Sequence, residues 1–488
     1  MSLAKISARN INQGERPLSK SVVILGAGPA GLATAYYLCK GGFSDITILE
    51  KEKFVGGIAA TLCRDDMLFD FGSHRIHPTC GADTLSLIRS LLGNDLLTRP
   101  RRGAIWLSGH IVEYPLRLAQ VTSAVGWLSG ARILASFAKQ RLFPNSARQG
   151  QETSETLLVN RFGRAMFELF YEPYTTKVFG IPPAQMSPEQ ARRRVGSKSL
   201  LDIARKTLNI GRADAANPDI FLYPRHGFGQ VCEALADEVR KSGVSIILDA
   251  TPKKIVLSDA RIARLEYMAE KQKHTLEPDF VFSTIPLQSL TSLCLPRSSP
   301  AHQAASSLKT RSLVLLYIVL NKDRAGEKDA YYFPSGGITF NRISEQKNFS
   351  PEMVPPGKTV LCADISCNLE DRFWRLTDEE VFQAARESLL RLGLFALEDV
   401  DYWFTRRVRC AYPVYSLGFE QHLRIVLDWA DSVENLVTLG RQGLFAHNNF
   451  HHSVMMAKAA AEHLLSGKPK SEGWNKARLA FAAFKVID

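Results

Sequence analysis

Gly26, Gly28 and Gly31 stand at the spacing G-x-G-x-x-G directly after the apolar run Val22 to Leu25. Glycine at these three places permits a tight turn out of a strand, close approach of the backbone to a pyrophosphate, and close packing of the next helix on that strand. The chemistry on offer is anion binding, because a helix opening at Pro29 and Ala30 presents unpaired backbone N–H groups to phosphate charge. Glu50 follows Gly31 by 19 positions and ends a second apolar run, Ile46 to Leu49. A carboxylate there accepts hydrogen bonds from ribose hydroxyls. With Ala30 to Leu38 read as the helix, this is a βαβ dinucleotide unit, which by itself does not separate NAD from FAD.

Other candidate groups lie further along the chain. Gly72, Ser73, His74 and His77 close an alternating strand, MLFDFGSHRIHP. A metal reading of the two histidines ranks below an organic one, since no Cys or acidic ligand stands at zinc-like spacing. Arg311 and Arg342 sit in strand-like runs, and Arg102, Tyr174 and Tyr415 border the segments that read as pocket walls. Near the C-terminus, a strand reaches Gly440, Arg441 and Gly443, and a helix follows from about His452 and Ser453 with His447 and His451 just before it.

At 488 residues the chain exceeds one ordinary core, so two domains are expected. A 45% hydrophobic and 23% charged composition is that of a globular protein. The eight cysteines form no C-x-x-C pair or regular framework, which suits free thiols. No apolar run reaches the ~20 residues of a membrane span, and the first twenty residues lack a secretory apolar core, so a cytoplasmic location is expected. The formal charge is +12, and Arg192 to Arg212 carries seven basic residues against Asp202 alone. That segment reads either as a solvated face or as a contact for an anionic substrate or a membrane surface. No nucleic-acid motif accompanies it, and no nucleic-acid partner is expected.

The stretch GAGPAGLATAYYL, then LEK with Lys51, then VGG with Gly56, Gly57 and Ile58, resembles the FAD-binding signature of the amine oxidase, protoporphyrinogen oxidase and UDP-galactopyranose mutase superfamily. GRQG followed by a helix is similar to that superfamily's C-terminal flavin element, with His451 where an Asp is usual. The resemblance implies an α/β fold: a discontinuous Rossmann-like FAD-binding domain (21–115, 222–290 and 430–466) with an inserted α+β substrate domain (116–221 and 291–429) and tails at 1–20 and 467–488. It implies FAD held by Gly26, Gly28, Pro29, Ala30, Gly31, Glu50, Lys51, Gly56, Gly57, Ile58, Gly72, Ser73, His74, Gly440, Arg441, His452 and Ser453. Pro252 stands where a family backbone N–H and C=O hold adenine, although proline has no N–H. No cysteine follows Cys410, so the FAD is expected to be non-covalent. His74, Arg311 and His451 are the catalytic candidates, and Arg102, Tyr174, Arg342 and Tyr415 the substrate contacts. The implied activity is hydride removal from an anionic or phosphate-bearing biosynthetic small molecule onto flavin N5. The alternative is a redox-neutral sugar isomerisation of the mutase type using reduced FAD, and a third reading is a non-enzymatic flavin scaffold. No general base is evident, and the substrate, the acceptor and the oligomeric state are left open.

Overall fold

The computed structural model describes residues 20–114, 118–143, 152–194 and 220–486. Strands form on the two expected apolar runs, Val22–Leu25 and Ile46–Leu49, with the helix Pro29–Lys40 between them. They lie in a five-stranded parallel sheet ordered Leu436–Thr438, Phe280–Ser283, Val22–Leu25, Ile46–Leu49, Ser245–Ile247. Strands covered on both faces read as near-continuous apolar runs, as VVIL does and as ITIL does apart from the half-buried Thr47. Segments from near both ends of the chain therefore share one sheet. An antiparallel meander, Thr251–Ser258, Arg261–Ala269 and Gln272–Leu276, follows the edge strand.

A second, seven-stranded sheet runs in the order Val400–Val414, Lys309–Leu320, Thr359–Cys367, Arg342–Glu345, Ala330–Tyr332, Gly103–Leu107, His110–Tyr114. Its central strands are buried on both faces. Leu313, Leu315, Tyr317 and Val319 pack into the core shared with the parallel sheet. Val314, Leu316, Ile318 and Leu320, one residue out of phase, face a separate core that holds Val381, Phe382, Ala385 and Leu389 of the helix Asp378–Leu390. That helix starts at Thr377, whose hydroxyl accepts from the Glu380 amide (3.3 Å) while the Glu380 carboxylate accepts from the Thr377 amide (2.8 Å).

A hairpin turns at Ser108–Gly109, and its first strand, Gly103–Leu107, pairs in parallel with Ala330–Tyr332. It thus forms the edge of the seven-stranded sheet rather than part of the cofactor portion in which the sequence placed it. The helical insertion is broken at glycines. Leu118–Val125 and Trp127–Leu142 are separated at Gly126, and Ser154–Phe162 ends at Gly163, both glycines at φ +80. Gly163 has a further constraint: a Cβ there would lie 2.8 Å from the Phe137 amide nitrogen, so two helices meet backbone to backbone. The segment expected as a C-terminal tail is ordered structure. The helix Trp474–Ala480 and the turn Phe481–Ala483 return along Phe450–Ser466, with Trp474 fully buried.

Candidate cofactor and substrate site

The cradle is assembled by close backbone approach. Gly26 turns at φ +99, and its amide donates to Leu49 O (2.8 Å). A Cβ on Gly31 would sit 1.9 Å from Gly26 O, so only glycine lets the helix close on the turn. Gly28 caps Pro29–Lys40 with no side chain over the helix end, and a Cβ on Gly28 would meet nothing within 4 Å. The space above it is therefore open and bordered by free helix amides. Gly56 (φ +103) donates to Ala27 O (2.8 Å), which lays Gly57 and Ile58 over Gly28; the Gly57 Cβ position is 3.6 Å from Gly28 Cα. Gly440 (φ +80) reaches the same helix from the other end of the chain, its Cβ position 2.8 Å from Ala30 Cβ.

Glu50 is buried at the end of its strand, with Oε2 accepting from the Ala27 amide (2.8 Å) and Oε1 from the Glu52 amide (2.9 Å). Burial pushes its carboxyl up and those two amides pull it back. Each oxygen keeps a lone pair for a ribose hydroxyl. Lys51 lies on the surface beside Glu52 (3.8 Å). Pro252 is paired opposite Tyr267 and has no N–H, whereas a register shift between Pro252 and Lys254 leaves Lys253 without a cross-strand partner.

At the other end of the cradle the chain passes from Asp70 through Gly72 (φ +88) to Ser73 and His74. Asp70 is fully buried and was not singled out from the sequence. Its carboxylate accepts from Tyr223 Oη, Thr61 Oγ1 and the Phe228 amide (3.0 Å), and its carbonyl from Tyr317 Oη (2.7 Å). Burial pushes its carboxyl up to about 6 against those donors. Ser73 Oγ is buried with no partner, as is Asn448 Oδ1. His74 contacts Phe71 O through Nε2 (3.1 Å) and packs on Phe228. Burial, and then the charges of Arg342 and Arg441, lower its pKa to about 4, so the ring is neutral at neutral pH. His77 turns to Thr79 Oγ1 (2.7 Å), and the two histidines do not converge.

Arg342, Tyr332 and Asp364 are direct cross-strand partners, and period-two alternation puts all three on one face of the seven-stranded sheet. Arg342 pairs with the fully buried Asp364 beside Gly72, whose Cβ position is 3.1 Å from Arg342 Nη2. Burial opposes the Arg342 charge, but Asp364 and the phenols of Tyr412, Tyr332 and Tyr174 more than offset it. Tyr174 arrives from the helix Glu172–Phe179, stacked on Phe170 (5.6 Å) and edge-on to Tyr332 (6.3 Å). Arg441 fixes the C-terminal turn by donating to Ala411 O (2.8 Å) and Asn448 O (2.7 Å) while lying over Tyr412 (5.5 Å).

The remaining candidates are placed elsewhere or differently. Arg311 pairs with Asp371 (3.1 Å) and donates to Ser366 O (3.2 Å), with its guanidinium against Gly180. A register irregularity falls between Arg311 and Leu313, where the side chain leaves the strand's regular row. Arg311 is a packed ion pair and is not drawn into the Arg342 cluster. Tyr415 is buried, its hydroxyl donating to Phe445 O (3.1 Å) and accepting from the His447 amide (2.9 Å), so both hydrogen-bonding roles are taken by backbone. Arg102 directly precedes the strand Gly103–Leu107, its amide donating to Asp329 Oδ2 (3.1 Å). His451 and His452 stand in the first turn of Phe450–Ser466, ring centroids 4.0 Å apart. His452 Nδ1 accepts from the Asn449 amide (3.1 Å), and its ring stacks on Phe484 of the returning C-terminal segment (4.3 Å). Burial, with His77 for one and His451 for the other, lowers their pKa values to about 4 and about 3. Ser453 Oγ accepts from Asn448 Nδ2 (3.4 Å).

The basic run proposed from Arg192 to Arg212 lies outside the described residues beyond Arg194. Its first part is not a uniform solvated face: Arg193 pairs with Glu189 (2.6 Å) over Tyr415, and Arg194 lies over Phe179 (5.3 Å). The Arg194 charge acts on Tyr174 and His447.

The model of flavin-containing amine oxidoreductases matches residues 29–441, most of the chain. The chain belongs to that family. Its cofactor is FAD, and the open cap at Gly28, the glycine contacts from both ends of the chain and the orphaned Ser73 and Asn448 oxygens fit that group. Among curated proteins it is similar to the protoporphyrinogen oxidase of Bos taurus, 24% identical over 93% of this chain and 100% of that protein. It is also similar to a phytoene desaturase of Fusarium fujikuroi, 24% identical over 62% of this chain; that match spans 55% of the desaturase's length. Among solved structures, reduced UDP-galactopyranose mutase superposes with a TM-score of 0.79 at 20% identity, covering 93% of this chain and 96% of that one. Putrescine oxidase bound to putrescine gives 0.61 at 18% identity, covering 92% and 100%. These likenesses at low identity show the fold and the Rossmann-like cofactor portion.

Proposed function

We propose that the protein is an FAD-dependent oxidoreductase whose small-molecule substrate carries an anionic group held by Arg342. The observation that carries this reading is the row formed by the half-buried Tyr332 and Arg342 and the buried Asp364 beside Gly72, joined by Tyr174, Tyr412, Arg194 and Arg441. Arginines outnumber carboxylates in that cluster, so it retains positive charge for an incoming anion. When bound, FAD supplies two-electron acceptance from a substrate C–H or C–N bond.

The protein's share is positioning and electrostatics. Asp364 fixes the Arg342 guanidinium so that it meets the anion without reorganising. Burial keeps the Tyr174 phenol protonated and therefore a hydrogen-bond donor. His74, neutral and tied to Phe71 O, shapes the wall without adding a charge. Glu50 and the Pro29–Lys40 amides would hold ribose and pyrophosphate. Attachment is non-covalent, so acid or heat denaturation releases the flavin into the supernatant.

A redox-neutral isomerisation of a sugar nucleotide is the second reading, favoured by the arginine and tyrosine ring, which suits a diphosphate. Anaerobic mixing separates the two. Bleaching of the flavin band by an anionic substrate, with recovery in air, supports the oxidoreductase. Interconversion of a UDP-sugar by dithionite-reduced protein without net flavin turnover replaces it with the isomerase.

A further inference from the structure

The helix Trp127–Leu142 (WLSGARILASFAKQRL) buries Gly130, Ile133 and Gln140 against the rest of the helical insertion. Its other side is exposed to an unusual degree for large apolar residues: Trp127 77%, Leu128 66%, Leu134 45% and Leu142 74%, with Phe143 just beyond at 71%. At 100° per residue, Leu134, Trp127, Ala138, Ala131, Leu142, Ala135 and Leu128 follow one another around an arc of about 120°. That arc is edged by Arg141 on one side and by Lys139 and Arg132 on the other, and the helix contains no acidic residue. Arg132 shares its charge with Glu168 (3.5 Å), while Arg141 lies over Phe137 (5.3 Å). Scattered single apolar residues on a surface need no explanation, but a continuous apolar stripe between basic edges does.

We infer that this helix is an interfacial anchor that lays its Trp127–Leu142 stripe into the headgroup region of an anionic lipid bilayer. The charge pattern selects this occupant: Lys and Arg beside an apolar stripe meet lipid phosphates while Trp and Leu enter the acyl boundary. The protein's +12 charge adds long-range attraction to such a surface. No helix among the described residues is long and apolar enough to cross a membrane, so the contact is peripheral. The surface is distinct from the helix Pro188–Arg194, whose Arg193 and Arg194 lie over Tyr415 and Phe179, and it does not depend on which substrate the Arg342 cluster takes.

Co-sedimentation of the flavin-loaded full chain with phosphatidylcholine vesicles, with and without phosphatidylglycerol, tests this. Binding is expected only with phosphatidylglycerol present, and to weaken as salt is raised. Trp127→Glu with Leu128→Glu should raise the lipid concentration for half-binding at least about tenfold, with flavin content and melting temperature unchanged. Lys139→Glu with Arg141→Glu should weaken binding while leaving melting temperature unchanged. Wild-type protein that stays in the supernatant at low salt, or a Trp127→Glu, Leu128→Glu variant that binds as well as wild type, overturns the inference. So does a lipid-free dimer that this pair of substitutions disperses, since the stripe would then belong to a second copy of the chain.

Discussion

Charged residues inside apolar strands mark this site. Asp70 interrupts MLFDF and Asp364 interrupts TVLCADISC, and both are fully buried. A buried carboxylate persists only with dedicated partners. Asp70 finds them in Tyr223, Thr61 and the Phe228 amide, Asp364 in Arg342. Asp70→Asn leaves one of its donors without an acceptor and should lower the unfolding free energy by about 1–3 kcal/mol, read from chemical denaturation. The interruption of an apolar run was visible in the sequence and would have found both residues. What it does not reveal is the partner. Arg311 has the same signature as Arg342, yet its partner is the half-buried Asp371 and its role is packing. Tyr332 and Tyr412 were illegible for a related reason, and Arg194 was legible only as part of a basic run: they come from separate elements, and only the register of the seven-stranded sheet and the course of the helical insertion bring them together.

At the scale of elements, the βαβ unit was readable almost to the residue because its glycines answer local geometric demands. The strands Val22–Leu25 and Ile46–Leu49 fall where the apolar runs predicted them. Two substitutions separate cofactor binding from folding within this unit. Gly28→Ala places its Cβ in space the protein leaves open, so the apoprotein should melt at the wild-type temperature while FAD affinity falls at least about tenfold. Gly31→Ala drives a Cβ to 1.9 Å from Gly26 O and should destabilise the apoprotein itself. Equal FAD affinity for Gly28→Ala and wild type would show that the space above Gly28 is not the pyrophosphate site. The hairpin at Ser108–Gly109 shows the complementary limit. Its turn was legible, but its sheet was not, since pairing with Ala330–Tyr332 links residues more than two hundred positions apart in sequence, a separation local pattern does not encode.

At the scale of the molecule, buried histidines tie stability to pH. His74, His451 and His452 have folded-state pKa values of about 4, about 4 and about 3, below the ordinary 6.5. Below about pH 6.5 the unfolded chain takes up protons that the folded protein refuses, so stability falls on acidification from about 6.5 towards 4. Asp70, raised to about 6, acts in the opposite sense over part of that range, as do Glu50, Glu345 and Asp364, whose carboxyls burial also raises, while His447, held well below its ordinary value by burial, adds to the three histidines. Melting temperature should therefore drop steadily between about pH 7 and pH 5. A flat profile would mean that those rings are not buried neutral.

The central claim is that Arg342 and its tyrosines receive an anion beside a flavin held from both ends of the chain. Its most direct test is the change in the visible flavin spectrum as UDP or inorganic pyrophosphate is added to the oxidised holoprotein. Wild type should show a saturable change. Arg342→Gln combined with Asp364→Asn, which removes both charges and leaves neither buried alone, should raise the half-saturating concentration at least about tenfold without loss of bound flavin. An unperturbed wild-type spectrum at millimolar anion, or the same half-saturating concentration in the double variant, would contradict the claim.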